Sequence, residues 1–303
     1  MIPIIKNRKI PFIISSAFFI ASLILVITIG LKPGIDFTGG TLIELSFSEN
    51  RPDLAQMQSQ VDSLDFGNVQ VQPVDEDGYL LKMRFVSEEE HQQVLSTVRE
   101  AFSAEGNNQI LEERVETVGP SISSELRSRS IKAGIAVVLA IILYVAYAFR
   151  KVSRPVSSWK FGVTAIIALL HDVTITVGVF VLLGKFLGVE IDIPFVVALL
   201  TIVGYSVNDT IVVFDRIREK LLKRGYKNFP ETVNIGVNET IPRSVNTSIT
   251  TLLVLFALFL FGGEAIRYFA LALIVGIGLG TYSSIFLASP LLIVWQEFAA
   301  KKK

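Results

Sequence analysis

Thr201-Ile-Val-Gly-Tyr-Ser-Val-Asn-Asp-Thr-Ile-Val-Val-Phe-Asp215 is the stretch whose reading decides the fold. It continues an apolar run from Ile193 that is long enough to enter a bilayer, yet Asn208 and Asp209 stand back to back within it. A carboxylate at the centre of a membrane helix costs about 2.5–3.5 kcal/mol on insertion scales. Such residues therefore face a bundle interior, find a partner, and mark an ion or substrate path. The plainer alternative for Asp209 is a structural carboxylate hydrogen-bonded to neighbouring helices.

The rest of the chain agrees with a membrane setting. Its 303 residues are 51% hydrophobic, with a mean hydropathy of +0.55, and several apolar runs reach the length of a span. The expected class is an α-helical polytopic membrane protein. Cysteine is absent, which excludes disulfides, thiolate metal sites and a cysteine nucleophile. His91 and His171 are the only histidines, too few for a multi-histidine metal site within one chain.

Lys6, Arg8 and Lys9 precede a first apolar segment, about Ile10 to Leu31. It exceeds the core of a signal peptide and lacks a small-residue cleavage pattern, so residues 1–31 read as a cytoplasmic N-terminus and an uncleaved first span. Residues 32–130 are acidic and patterned as a soluble domain. Thr41–Phe47, Val69–Val74, Tyr79–Phe85 and Ile110–Val118 alternate like strands, Pro52–Leu64 and Glu88–Ala104 have helical spacing, and Asp75-Glu-Asp-Gly78 marks a hairpin turn. That βαββαβ order predicts a ferredoxin-like α+β domain. Residues 131–303 read as five further spans, near 131–149, 161–184, 193–214, 243–262 and 266–294.

Charge sets the expected orientation. Arg150, Lys151, Arg154 and Lys160 fill one loop, Arg216, Arg218, Lys220, Lys223, Arg224 and Lys227 another, and Lys301–Lys303 the end. By the positive-inside rule these lie in the cytoplasm with both termini, and residues 32–130 lie on the opposite side. Asp215–Arg224 would extend the fourth span as an amphipathic helix ending at Gly225, near anionic headgroups or a cytosolic partner. No aromatic platform accompanies the basic loops, which argues against nucleic acid.

Polar residues within the spans carry the functional signal. At about 1.5 Å per residue, Asp209 lies roughly 8–9 Å above the cytoplasmic end of the fourth span, level with Arg243 just after Pro242. Pro242 suits the first turn of the fifth span. Arg243 either snorkels to the interface or pairs with Asp209, flanked by Asn246, Thr247, Ser248, Thr250 and Thr251 in a strip suited to water and protons. His171 and Asp172 sit near the middle of the third span. Consecutive helical side chains diverge by about 100°, so the two are not expected to face one site. A paired-aspartate protease is disfavoured by the motif around Asp209 and by the different depths of Asp172 and Asp209. In the last span Ala272, Gly276, Gly280, Ser284 and Ala288 form a small-residue stripe for close helix packing, with a partner in this chain or another.

Gly34-Ile-Asp-Phe-Thr-Gly-Gly-Thr41, Val118-Gly-Pro120, His171-Asp172 and Gly204-Tyr-Ser-Val-Asn-Asp-Thr-Ile-Val-Val-Phe-Asp-Arg-Ile-Arg-Glu219, in this order and topology, resemble the SecD/SecF family of the RND superfamily. The resemblance spans essentially the whole chain. Gly34, Asp36, Gly39, Gly40, Gly119 and Pro120 would be its structural motif residues. It implies an RND-type half-transporter that pairs with SecD in the bacterial inner membrane. With the SecYEG channel and the SecA motor, the pair would spend the proton motive force on late export of a preprotein. Asp209 would be the proton carrier, with Arg243 and Asn208 beside it and with His171 and Asp172 as candidate contributors. Protons would be the coupling ion, with no cofactor and no enzymatic reaction. The alternatives are a proton-coupled exporter of small apolar molecules and a non-transporting scaffold of the channel.

Overall fold

The computed structural model describes residues 1–103, 108–148, 158–224 and 228–301. In chain order the elements are α1 (Lys9–Thr28), α2 (Ile35–Thr38), β1 (Gly40–Phe47), α3 (Leu54–Asp62), β2 (Gln70–Val74), β3 (Gly78–Met83), α4 (Glu88–Phe102) and β4 (Ile110–Val118). The long helices α5 (Pro120–Ala148), α6 (Ser158–Leu187), α7 (Ile193–Arg224), α8 (Phe229–Phe261) and α9 (Glu264–Ser283) follow. A π turn (Ser284–Ala288) then leads into α10 (Ser289–Lys301). Internal contacts divide the chain into two units, Pro33–Ile131 and the remainder.

In the smaller unit the strands pair antiparallel in the order β2-β3-β1-β4. With α3 between β1 and β2 and α4 between β3 and β4, this is the split βαβ arrangement. Alternation decides which face is buried: Ile43, Leu45, Phe47, Tyr79, Leu81 and Met83 point to a core completed by Met57 and Val61 of α3 and Val94, Leu95 and Val98 of α4. Each such side chain contributes about 1.5–3 kcal/mol when fully buried. Capping boxes start both covering helices, Asp53 with Gln56 and Ser87 with Glu90, each typically worth about 1 kcal/mol. The hairpin turns at Asp75, whose φ of 49° is left-handed, a conformation aspartate tolerates.

Arg84 and the Ser87 N–H bond the Glu90 carboxylate, at 2.6 Å and 2.8 Å in the shortest contacts. The Arg84 hydrogen bond first, and the Ser87 N–H second, hold that carboxyl below its ordinary value of 4.5. A depressed carboxyl stabilises the fold above its unfolded pKa, and the contribution fades as pH falls through the folded one. The protection of amides in the first turn of α4, taken relative to their intrinsic exchange at each pH, is therefore expected to fall on acidification below about 4.5. Glu90→Gln should remove that dependence.

The two glycine motifs meet at the base of the sheet. Gly34 caps α2, Gly39 follows it with φ 73°, and Gly40 has φ 140°. A side chain on Gly39 would come within 3.3 Å of Ser123 Oγ and 3.4 Å of the Val118 carbonyl, and one on Gly40 within 2.7 Å of the Met83 carbonyl. Gly40 pairs with Val118, and Gly119 and Pro120 begin α5, where Ser123 returns hydrogen bonds to both carbonyls. Gly40→Ala adds a clash to a strained φ, at about 1–3 kcal/mol each. It should raise hydrogen exchange across β1 and β4 while leaving the bundle helices protected.

Among the described residues, six helices are long and apolar enough to cross a membrane: Lys9–Thr28, Pro120–Val145, Trp159–Leu187, Ile193–Lys223, Phe229–Phe261 and Ile266–Phe298. Two begin earlier than the sequence reading placed them. The second begins at Pro120 rather than near 131, because proline is favoured at the first helical position. The fourth runs on to Arg224, as the amphipathic pattern of Asp215–Arg224 suggests, and the extension packs within this chain: Val213, Phe214, Ile217 and Leu221 meet Phe229, Val233 and Val237, and Arg216 and Lys220 both pair with Glu239 of α8. The fifth begins at Phe229, so Pro242 lies inside α8 instead of in its first turn. Arg150, Lys151, Arg154, Gly225, Lys227, Lys302 and Lys303 fall outside the described residues.

Met1–Asn7 is pinned to the bundle. Ile2 and Ile5 donate backbone N–H groups to Asn238 and Asn234, Ile4 and Ile5 are buried, and Arg8 grips Glu297 at 2.7 and 2.9 Å. Two apolar clusters fill the unit, one around Phe161, Phe214 and Ile293, the other around Phe180, Phe195 and Ile202. Along α6, α7 and α9 the change from one to the other falls near residues 170–176, 203–206 and 278–284. Buried polar side chains collect at that seam.

Candidate functional site

Asp209 is 8% exposed and points from α7 into the seam. Ser244 Oγ of α8 donates to its Oδ1 at 2.6 Å, and Ser284 Oγ of the π turn donates to its Oδ2. Arg243 does not make the expected pair. It is exposed and, among the described residues, forms no ion pair. One step along a helix turns a side chain by about 100°, so directing Ser244 toward α7 directs Arg243 away from it. Asn208 is exposed for the same reason. Thr201 and Asn208 on α7 and Arg243, Asn246, Thr247 and Thr250 on α8 thus place polar side chains on the outside of two apolar spans.

Asp172 forms a second centre. It is fully buried, accepts from Ser206 and Ser283 at 2.7 Å each through Oδ2, and meets His171 Nδ1 at 2.9 Å through Oδ1. The expected divergence of His171 and Asp172 is therefore corrected. The long imidazole reaches along the helix surface to its neighbour, while Phe19 of α1 stacks over its ring and keeps that side of α6 out of solvent. His171 Nε2 is buried without a partner. The two carboxylates bind different serines and share none, unlike a dyad that holds one proton between them.

The small-residue stripe supplies the closeness these contacts need. Ala272 and Ala288 are fully buried. A methyl group on Gly276 would fall 2.3 Å from Ile202, and one on Gly280 would lie 3.2 Å from Ser206. The stripe's partner is α7 of this same chain, and its next member, Ser284, is one of the two serines that bind Asp209. Sequence reasoning missed Ser206, Ser244 and Ser283. The available signal was a serine three residues before Asp209 and a serine doublet interrupting the last apolar run.

Residues 97–298 match the family described as protein export membrane protein SecD/SecF, C-terminal, and residues 24–50 match the SecD/SecF GG motif. The protein translocase subunit SecF of Thermobaculum terrenum is 42% identical over 98% of this chain and 95% of its own length. That of Desulfurispirillum indicum is 40% identical over 97% and 92%. The crystal structure of SecDF from Thermus thermophilus, titled a translocon-associated membrane protein, superposes with a TM-score of 0.79 at 36% identity; the match covers 96% of this chain but only 38% of that one. The GG motif at Gly39-Gly40, the seam carboxylates and these matches lie in a single chain with six spanning helices, and that chain belongs to the SecD/SecF family of protein-export membrane proteins.

Proposed function

We propose that the chain is one half of a proton-driven preprotein translocase of the bacterial inner membrane, with a SecD-type protein as the other half. SecYEG, SecA and the emerging preprotein are its working partners. Both termini face the cytoplasm and residues 32–130 the periplasm. Asp209 carries the proton, and the coupling needs no cofactor and no enzymatic step.

The observation that carries this reading is a buried carboxylate that, among the described residues, is held by hydroxyls alone. A serine hydroxyl both donates and accepts, so Ser244 and Ser284 can serve Asp209 with or without a proton, whereas an ion pair with Arg243 would favour one state. A proton crossing the membrane releases about 2.3 kcal/mol per 100 mV, enough to shift a bundle whose two states differ by a few kcal/mol. The exposed polar strip on α7 and α8 supports a second half-transporter. Arg243 and Asn208 would meet it there, because polar side chains on a spanning helix need protein or water opposite them.

Export in vesicles that contain the chain, a SecD-type partner, SecYEG and SecA tests the reading. Completion of a stalled preprotein should depend on the proton gradient and lose that dependence when the chain is omitted. Export that needs the chain but ignores the gradient would indicate a scaffold. Gradient-driven efflux of small apolar compounds by the chain alone would indicate an exporter.

A further inference from the structure

We propose that Asp172, with His171, is a second proton-holding site of the bundle, coupled to Asp209 through the adjacent hydroxyls of Ser283 and Ser284. The inference rests on the reading of Asp209 as the proton carrier. Consecutive residues at the end of α9 and the start of the π turn bind the two carboxylates, Ser283 to Asp172 and Ser284 to Asp209. Each serine also has a second acceptor in reach. Ser283 Oγ lies 3.2 Å from the Gly280 carbonyl, and Ser284 Oγ 3.1 Å from that of Thr281.

These geometries define two states. With a carboxylate ionised, its serine donates to it. When a proton arrives on the carboxylate oxygen, the new O–H donates to the serine oxygen, and the serine proton turns to the backbone carbonyl one turn back. A hydroxyl bonded to its own helix backbone competes with the main-chain ladder and bends it. Here the ladder already changes register, since the π turn begins at Ser284 and Ser289 Oγ holds the Ser284 carbonyl at 2.9 Å. Reorienting one serine thus alters the turn that carries the other.

His171 adds a second proton-exchanging group to this site. It is 5% exposed, its Nδ1 holds Asp172, and its buried Nε2 has no partner, which leaves one ring nitrogen open to exchange a proton. The elements packed around Asp172 bring few other titratable groups. α7 brings Asp209 and Tyr205, whose hydroxyl is buried without a partner. α9 brings Tyr282, bonded to Ser15 and the Pro11 carbonyl, and α1 brings Ser15, Phe19 and Ser22. Arg243 of α8 faces outward.

Infrared difference spectroscopy across a pH series, on the chain assembled with its SecD-type partner in vesicles, tests the coupling. Asp172→Asn and Asp209→Asn should each delete a distinct titrating carboxyl signal. Asp172→Asn should also move the midpoint of the Asp209 signal by about one pH unit or more, the mark of interacting sites. In a Ser283→Ala, Ser284→Ala background both signals should persist and that shift should vanish. If Asp172→Asn fails to assemble, Ser283→Ala alone must move the Asp172 signal. An Asp209 midpoint indifferent to Asp172 overturns the coupling and leaves the carrier reading standing. Absence of any titrating Asp209 signal overturns both.

Discussion

Asp209→Asn is expected to abolish gradient-driven completion of export while leaving the bundle assembled. Asparagine keeps the volume, and its Oδ1 still accepts from Ser244. Its amide donates where Ser284 now donates, and the Ser284 hydroxyl can turn to the Thr281 carbonyl 3.1 Å away. Stability should therefore change by no more than about 1 kcal/mol. What is lost is the exchangeable proton. If one proton per step contributes its full 2.3 kcal/mol at 100 mV, the rate falls about fiftyfold. Purification with the partner at wild-type yield, together with that loss, is the predicted pattern; wild-type export from the variant would remove Asp209 from the mechanism.

Gly178→Val should have the largest effect on folding. At Gly178, α6 passes so close to α1 that a Cβ would sit 2.5 Å from the Ser22 side chain and 2.9 Å from its Cα. A rotamer change cannot relieve a contact with backbone, so α1 must move as a body. Overpacking of this kind costs about 1–3 kcal/mol, and the shift would also carry Phe19 off His171. The accumulated level of protein should drop sharply and recover in part with Ser22→Gly. Gly204→Ala is the control, because nothing lies within 4 Å of its added methyl. Equal losses from both substitutions would contradict the close packing.

Much of this architecture is legible in the residues, for reasons that differ between elements. The strands of the smaller unit read directly because one face is buried and one is not, which stamps period-2 alternation on Thr41–Phe47. Asp75-Glu-Asp-Gly78 supplies turn chemistry independently of that pattern. The start of α8 does not read, because Glu231, Asn234, Asn238 and Pro242 interrupt its apolar period. Packing against α7 and the bonds of both asparagines to Met1–Asn7 justify those residues, and such contacts exist only in three dimensions. At the site, Asp209 is legible from its cost in a membrane. Its partners are not. Arg243 draws attention as the opposite charge, yet the side chain that reaches Asp209 is the less conspicuous Ser244, a choice set by helix rotation. The stripe Ala272, Gly276, Gly280 and Ser284 is visible as spacing, but that it packs on α7 of the same chain follows only from Ile202 and Ser206 lying against it.

Proton flux during export tests the central claim most directly. Vesicles holding the chain, its SecD-type partner, SecYEG and SecA, loaded with a pH-sensitive dye, should show proton movement that rises when a preprotein is translocating. Asp209→Asn should hold that movement at the level seen without preprotein, with the complex intact. Preprotein-stimulated flux that persists undiminished in Asp209→Asn would contradict the account.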